Sequence, residues 1–360
     1  MTSILSITSD RGLGGISASL LTYSRAMAIA NIQHIVVIPQ ETPVYEELAK
    51  LNNVEIIPIS SSALRAHSAS YYFFSRALRK EMTNSDRIFI HNAKHSNVPQ
   101  RFRDKTYVIN HTGKTKLLDK ASNIIFLNKT ARDAFLKAFP KLKTPHLVVG
   151  HGFEVSDEIM REPDCGKPVN IISAGRLLEK KGFRELIDTA RLLQAEKVNC
   201  KICVYGEGPD ETLLKQKIAD YGLNNIQIKP WTNNLREAMS DASIFCTPSH
   251  GESFPLVIGE ALEAGLAIAT TNTNGAKEYF SYAEKEKPFG LMANIKDPKA
   301  MASILKEIVQ DQELRQRMNK NARTFLLENF SLEILADKFL RICEPPPVNQ
   351  LKSEDFPVEQ

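Results

Sequence analysis

The chain has 360 residues, 42% hydrophobic and 24% charged, which is ordinary globular usage and excludes a disordered protein. At roughly 100–200 residues per domain, this length predicts two domains. No apolar run reaches the roughly 18 residues of a transmembrane helix, and the N-terminus lacks the basic start and long apolar core of a signal peptide, so a cytoplasmic location is expected.

Net charge is +4 but uneven: residues 1–155 carry 20 Lys and Arg against 11 Asp and Glu, the remainder 26 against 31. The span 60–116 alone holds 11 basic and 3 acidic residues. Such asymmetry suggests a polyanionic partner for the N-terminal half: an anionic membrane surface, nucleic acid or a phosphorylated acceptor. The five cysteines are odd in number and scattered, which is not a disulfide framework. Cys200 and Cys203 have redox or zinc spacing, but they lie in a strand-like run. Positions i and i+3 on a strand face opposite ways, so both read as buried structural thiols.

Short, β-branched, continuous apolar runs fall at 4–8, 35–39, 54–59, 87–91, 106–110, 123–127 and 147–149. They resume at 169–173, 201–205, 226–228, 243–247 and 267–271. Runs of this kind suit strands covered on both faces of a parallel sheet. Amphipathic segments such as 183–196 and 209–221 lie between them. The predicted class is therefore α/β, with two Rossmann-like doubly wound domains. The N-terminal domain is placed at 1–155, a Pro- and Gly-containing linker at 156–168 and the second domain at 169–325. A C-terminal helix at 326–343 ends at Glu344-Pro345-Pro346-Pro347, and 344–360 reads as a disordered tail.

Gly12, Gly14 and Gly15 follow the first strand and precede the predicted helix 17–29. Glycines there let backbone amides approach an anion at a helix N-terminus; a plain tight turn is the alternative. A dinucleotide fingerprint needs glycine at position 17, where Ser17 stands. Gly113-Lys114-Thr115 lacks the upstream glycine of a Walker loop, since Val108 occupies that position. What remains is His111 at the C-terminal end of a parallel strand, where open α/β sheets place ligands. It is a ligand contact or a structural residue; His91 and His95, at a similar edge, read as structural. Gly175-Arg176 ends a strand and Lys180-Lys181-Gly182-Phe183 opens a helix. An Arg fork and a Lys point charge suit a diphosphate, against the alternative of a solvated basic turn. Gly206-Glu207-Gly208-Pro209 reads as a close turn. The segment 249–265 puts Glu252 in a loop, a helix start near Pro255 and Glu260 in the early turns of that helix. Such a loop offers amides to an anion, and Glu260 can accept two hydroxyls from a cis-diol such as ribose.

Glu252 and Glu260 form an E-x7-E motif within a segment resembling E-[GS]-F-[GP]-L-V-x-x-E-A-x-A-x-G. With Gly14-Gly15, Gly175-Arg176, Lys181-Gly182 and Gly206–Pro209 in the same order, the chain over about 1–343 resembles glycosyltransferase family four, the retaining, nucleotide-sugar-dependent enzymes of the GT-B fold. The resemblance implies two Rossmann-like domains facing a deep cleft. It implies that Arg176 and Lys181 hold the donor diphosphate and that Glu252 contacts the transferred sugar, with the amides of Ser253, Phe254 and Leu256 nearby. Glu260 would hold the ribose, Gly14 and Gly15 would close over the phosphates, and His111 would lie beside the sugar. Trp231 falls where the nucleobase usually lies, with a core tryptophan as the alternative. The implied catalytic set is His111, Arg176, Lys181 and Glu252. Pro255 replaces the commoner glycine and removes one amide donor.

The implied reaction moves a hexose from a UDP- or GDP-sugar to a hydroxyl of a glycan or lipid-linked saccharide, in lipopolysaccharide core or other surface polysaccharide synthesis. No covalent nucleophile, cofactor, divalent metal or nucleic acid partner is implied, and no D-x-D motif occurs. The alternatives are a sugar-nucleotide epimerase of the same architecture and a non-catalytic sugar-nucleotide-binding protein. An oxidoreductase is the weakest, given the incomplete glycine fingerprint. The stretch 62–80 mixes Tyr71, Tyr72, Phe73 and Phe74 with Arg65, Arg76, Arg79 and Lys80, which suits an anionic membrane surface and peripheral attachment to the inner face of the cytoplasmic membrane. An ordinary amphipathic helix is the alternative, or a basic lining for a phosphorylated acceptor.

Overall fold

A computed structural model describes residues 2–12, 15–60, 75–95, 98–111, 117–156 and 167–344. Gly14, residues 61–74, most of the expected linker and nearly all of the expected tail lie outside these. The chain forms two compact units, Met1–Glu154 with Ser331–Gln360, and Val155–Phe330.

The first unit contains β1 (Ser3–Ile7), α1 (Gly15–Ile29), β2 (Gln33–Ile38), α2 (Tyr45–Ala49), β3 (Val54–Pro58), α3 (Arg76–Asn84), β4 (Arg87–Ile90), β5 (Thr106–Asn110), β6 (Asn123–Phe126), α4 (Lys129–Ala138) and β7 (His146–Val148). The second contains β8 (Val169–Ala174), α5 (Phe183–Ala195), β9 (Cys200–Tyr205), α6 (Glu211–Asp220), β10 (Ile226–Lys229), α7 (Leu235–Ser240), β11 (Ile244–Thr247), α8 (Leu256–Glu263), β12 (Ala267–Thr271), α9 (Asn274–Phe280), β13 (Gly290–Ala293), α10 (Pro298–Gln310) and α11 (Gln312–Phe330). The chain then returns to the first unit as α12 (Leu332–Cys343).

Both sheets are parallel. Their orders are β3-β2-β1-β4-β5-β6-β7 and β10-β9-β8-β11-β12-β13. Every residue of β6 and of β12 is buried, as expected of strands covered on both faces. α5 buries Phe183, Leu186, Ile187, Ala190 and Leu193, the one-sided stripe that seats a helix on a sheet. The sheet order reverses between β1 and β4 and again between β8 and β11. In open α/β sheets, ligands bind beyond the C-terminal strand ends at such a reversal.

Two elements differ from the sequence reading. Residues 326–343 are not one C-terminal helix: α11 runs to Phe330 in the second unit, and α12 packs in the first. There Phe339 meets Tyr23 edge-to-face at 5.0 Å. Arg87 donates to the α12 terminal carbonyls of Ile342 at 2.6 Å and Glu344 at 2.8 Å, a cation at the negative end of a helix. These partners lie 255 residues or more apart, so no local pattern announces them. β13 was not anticipated either. It has four residues and opens on Gly290, where a Cβ would stand 2.3 Å from the Ile268 carbonyl oxygen on β12. Glycine is needed there for close approach, although glycine weakens any local strand signal.

Cys200 and Cys246 are buried free thiols, and burial pushes them up to about 11 and about 12. Cys203 is only half-buried, a departure from the expected full burial, and accepts a hydrogen bond from Gln227. No described helix is long and apolar enough to cross a membrane.

Candidate functional site

In the second unit the site is built where β8 and β11 end. After β8 come Gly175, Arg176 and a 3-10 turn over Glu179–Lys181. Gly182 then enters α5 at φ +71°. After β11 comes the loop 248–255. The two loops interlock. The His250 amide donates to the Lys180 carbonyl at 2.8 Å, and its ring lies 3.1 Å from the Glu185 carboxylate. Lys181 Nζ donates to Glu252 Oε1 at 2.5 Å, with both side chains less than one-fifth exposed. Ser249 Oγ donates to the same oxygen at 3.2 Å. The Gly275 amide binds the Glu252 carbonyl at 2.9 Å. Glu252 is thus fixed at side chain and backbone. Lys181 keeps two further N–H donors for an anion.

Arg176 is exposed, and among the described residues its guanidinium has no hydrogen-bond or ion-pair partner. Pro255 offers no side-chain cap to α8, whose first amides have no intrahelical acceptor. Leu256 opens that helix, and Ser253 precedes it as a half-buried residue. The Phe254 side chain is core, packed on Tyr279 at 4.8 Å and Phe330 at 6.0 Å. Glu260 is exposed on α8. Glu263, three residues on, is structural. It is buried and binds Arg236 at 3.0 Å, Arg323 at 3.1 Å and the Ser156 amide at 3.0 Å. Trp231 is half exposed, and its indole donates to Asn233 at 3.1 Å, so it is not a core tryptophan.

In the first unit, His111 directly follows β5. Its Nε2 lies 3.0 Å from Nδ1 of His91, which follows β4 at the switch point. His91 is buried, as the structural reading expects, and is also joined to His111. His34 on β2 and His151 are also buried, and Tyr23 of α1 lies 6.1 Å from both His91 and His151. Sequence reasoning missed this cluster because its members lie on separate elements; the parallel order of β1, β2, β4 and β5 brings His34, His91 and His111 together. Among the described residues, no group of three or more His, Cys, Asp or Glu side chains is placed to hold a metal ion. Gly15 opens α1, and a Cβ there would meet nothing within 4 Å. The protein's own packing thus does not require glycine at that position.

Burial pushes His111 down to about 4 and His34 and His151 to about 3, and it holds His91 well below its ordinary value. All four are neutral in the folded protein at neutral pH. Unfolding exposes them, and below the ordinary value of 6.5 each then takes up a proton. Stability is fully present above that value and is lost as pH falls toward the folded values, by about 1.4 kcal/mol per pH unit for each histidine. The thermal midpoint is expected to fall steeply from about pH 6.5 to 5, above the carboxylate range. A midpoint that stays flat across that window would contradict the burial of these rings.

The fold is GT-B. The chain is similar over 95% of its length to Anabaena HepE, solved in complex with UDP and glucose, with a TM-score of 0.74, 16% identity and 99% of that chain covered. It is likewise similar to the lipopolysaccharide outer core galactosyltransferase WaaB, with a TM-score of 0.73, 14% identity, and 95% and 99% coverage. Residues 156–325, within the second unit, match the family model of glycosyl transferases group 1. The lipopolysaccharide core biosynthesis glycosyltransferase LpsE of Rhizobium meliloti is 26% identical over 178 residues, 49% of this chain and 50% of that protein. The N,N'-diacetylbacillosaminyl-diphospho-undecaprenol alpha-1,3-N-acetylgalactosaminyltransferase of Campylobacter jejuni is 26% identical over 178 residues, covering 49% and 45%. The chain spans about half the length of the curated relatives it matches.

Proposed function

We propose that the protein is a retaining glycosyltransferase. It moves a hexose from a UDP- or GDP-sugar to a hydroxyl of a glycan or lipid-linked saccharide, in lipopolysaccharide core or other surface polysaccharide synthesis. The observation that carries this reading is that an exposed Arg176, with no side-chain partner among the described residues, shares the β8–α5 loop at the β8/β11 switch point with a Glu252-anchored Lys181. Breaking the bond from the sugar to the diphosphate builds negative charge on the leaving group and positive charge on the ring. Arg176, Lys181 and the leading amides of α8 would stabilise the former without reorganising. No metal ion takes part in this scheme. Glu252 would face the sugar, Glu260 the ribose and Trp231 the base. His111 would contact the sugar, and Gly14 and Gly15 the phosphates. The names of the relatives favour transfer over epimerisation.

The test is a panel of UDP-, GDP- and ADP-sugars, beginning with UDP-glucose, assayed for binding and slow hydrolysis. Isomerisation of a donor without acceptor would favour the epimerase, and binding without any turnover the non-catalytic reading. Within the scheme the carboxylates divide the work. Glu260→Ala is expected mainly to raise the donor KM, because a ribose contact binds ground and transition states alike. Glu252→Ala is expected mainly to lower kcat. Identical kinetic signatures would refute the division.

An anionic membrane surface belongs to the same reading. The described part of the basic stretch, α3, buries Leu78 and Met82 and exposes Arg76 and Lys80. Each cation near such a surface contributes about 1 kcal/mol. Binding to vesicles containing anionic lipid is expected, weakening with salt and with charge reversal at Arg76, Arg79 and Lys80. Equal co-sedimentation with neutral vesicles would argue against it.

A further inference from the structure

The histidines of the first unit are joined by hydrogen bonds whose direction can be worked out from one end. Ser24 Oγ lies 2.9 Å from the Leu20 carbonyl oxygen and 2.7 Å from His34 Nδ1. A carbonyl oxygen only accepts, so the single hydroxyl proton of Ser24 goes to Leu20. Were it turned toward His34, two oxygens would face each other with no proton between them. His34 Nδ1 must then carry a proton and donate to Ser24.

His34 is fully buried and neutral, so its Nε2 is a lone pair. It accepts from Ser6 Oγ at 2.8 Å. Ser6 has spent its proton and accepts from His91 Nε2 at 3.3 Å. His91 is likewise neutral, so its Nδ1 accepts from His111 Nε2 at 3.0 Å. The His91 and His111 rings are 18° from parallel with centroids 5.1 Å apart. A nitrogen–nitrogen distance shorter than the stacking distance of two rings puts this bond close to the ring planes, as an N–H···N bond requires.

We infer that Ser24, His34, Ser6 and His91 are positioning residues that hold His111 as its Nε2–H tautomer, with Nδ1 turned into a hydrogen-bond acceptor. A neutral acceptor selects a hydroxyl donor and disfavours a phosphate or carboxylate oxygen. The group His111 recognises is therefore a sugar hydroxyl; this last step rests on the proposed transferase reading. The chain itself does not depend on that reading.

The experiment is long-range proton–nitrogen NMR of the histidine rings in the substrate-free full chain at neutral pH, with signals assigned by His34→Gln, His91→Gln and His111→Gln. Three tautomers are expected: Nδ1–H for His34, Nε2–H for His91 and Nε2–H for His111. Ser6→Ala should leave His111 as a mixture of tautomers, and Ser6→Thr, which keeps the hydroxyl, should restore the single form. An Nδ1–H His111 in the wild type, or an unchanged His111 in folded Ser6→Ala, would overturn the inference. If Ser6→Ala does not fold, the wild-type tautomers and Ser24→Ala decide it in the same way. Because no nucleotide sugar is present, a missing chain and a protein that does not use nucleotide sugars give different results.

Discussion

Lys181→Ala and Arg176→Ala are each expected to cut turnover with saturating donor by on the order of 10²-fold or more, the usual effect of removing one preorganised donor from a developing anion. The two should differ in stability. Arg176 is exposed and unpartnered among the described residues, so its loss should leave the unfolding midpoint unchanged. Lys181 neutralises the mostly buried Glu252 at 2.5 Å, so Lys181→Ala strands a carboxylate. That costs about 1–3 kcal/mol, part of which Lys181→Ala/Glu252→Ala should recover. Turnover should remain lost in the double variant. Denaturant unfolding and steady-state kinetics on the four proteins separate the two roles. Near wild-type rates in both single variants would end the diphosphate assignment.

Gly182→Ala is expected to have the largest effect on folding, about 3 kcal/mol or more. At φ +71° a Cβ would stand 2.0 Å from the Pro248 carbonyl oxygen, a backbone atom at the start of the facing loop. The side chain would force the 176–182 and 248–252 loops apart and carry Lys181 away from Glu252. Gly222→Ala is the control: it has φ +58° with nothing within 4 Å, and so carries only the left-handed penalty of about 1–2 kcal/mol. Urea unfolding of both variants measures the difference. Equal losses would show that loop contact at Gly182 is not what is being lost.

Much of the architecture is written locally. Continuous β-branched runs marked twelve strands to within a residue or two, because strands covered on both faces, such as β6 and β12, keep few exposed polar positions. The placement of Arg176 and Lys181 between β8 and α5, of Glu252 in the loop before α8 and of Glu260 on that helix was legible too, since the sequence marks those elements. Other features required the chain to fold. β13 is held by Ile268 approaching Gly290, and α12 belongs to the first unit because Arg87 and Tyr23 meet it across more than 250 residues. The Lys181–Glu252 ion pair joins residues 71 apart. The coupling of His111 to His91, Ser6, His34 and Ser24 is likewise invisible to any spacing rule. Periodicity reports which face of an element is buried, whereas the neighbour across that face is set by strand order, and strand order exists only once the sheet has formed.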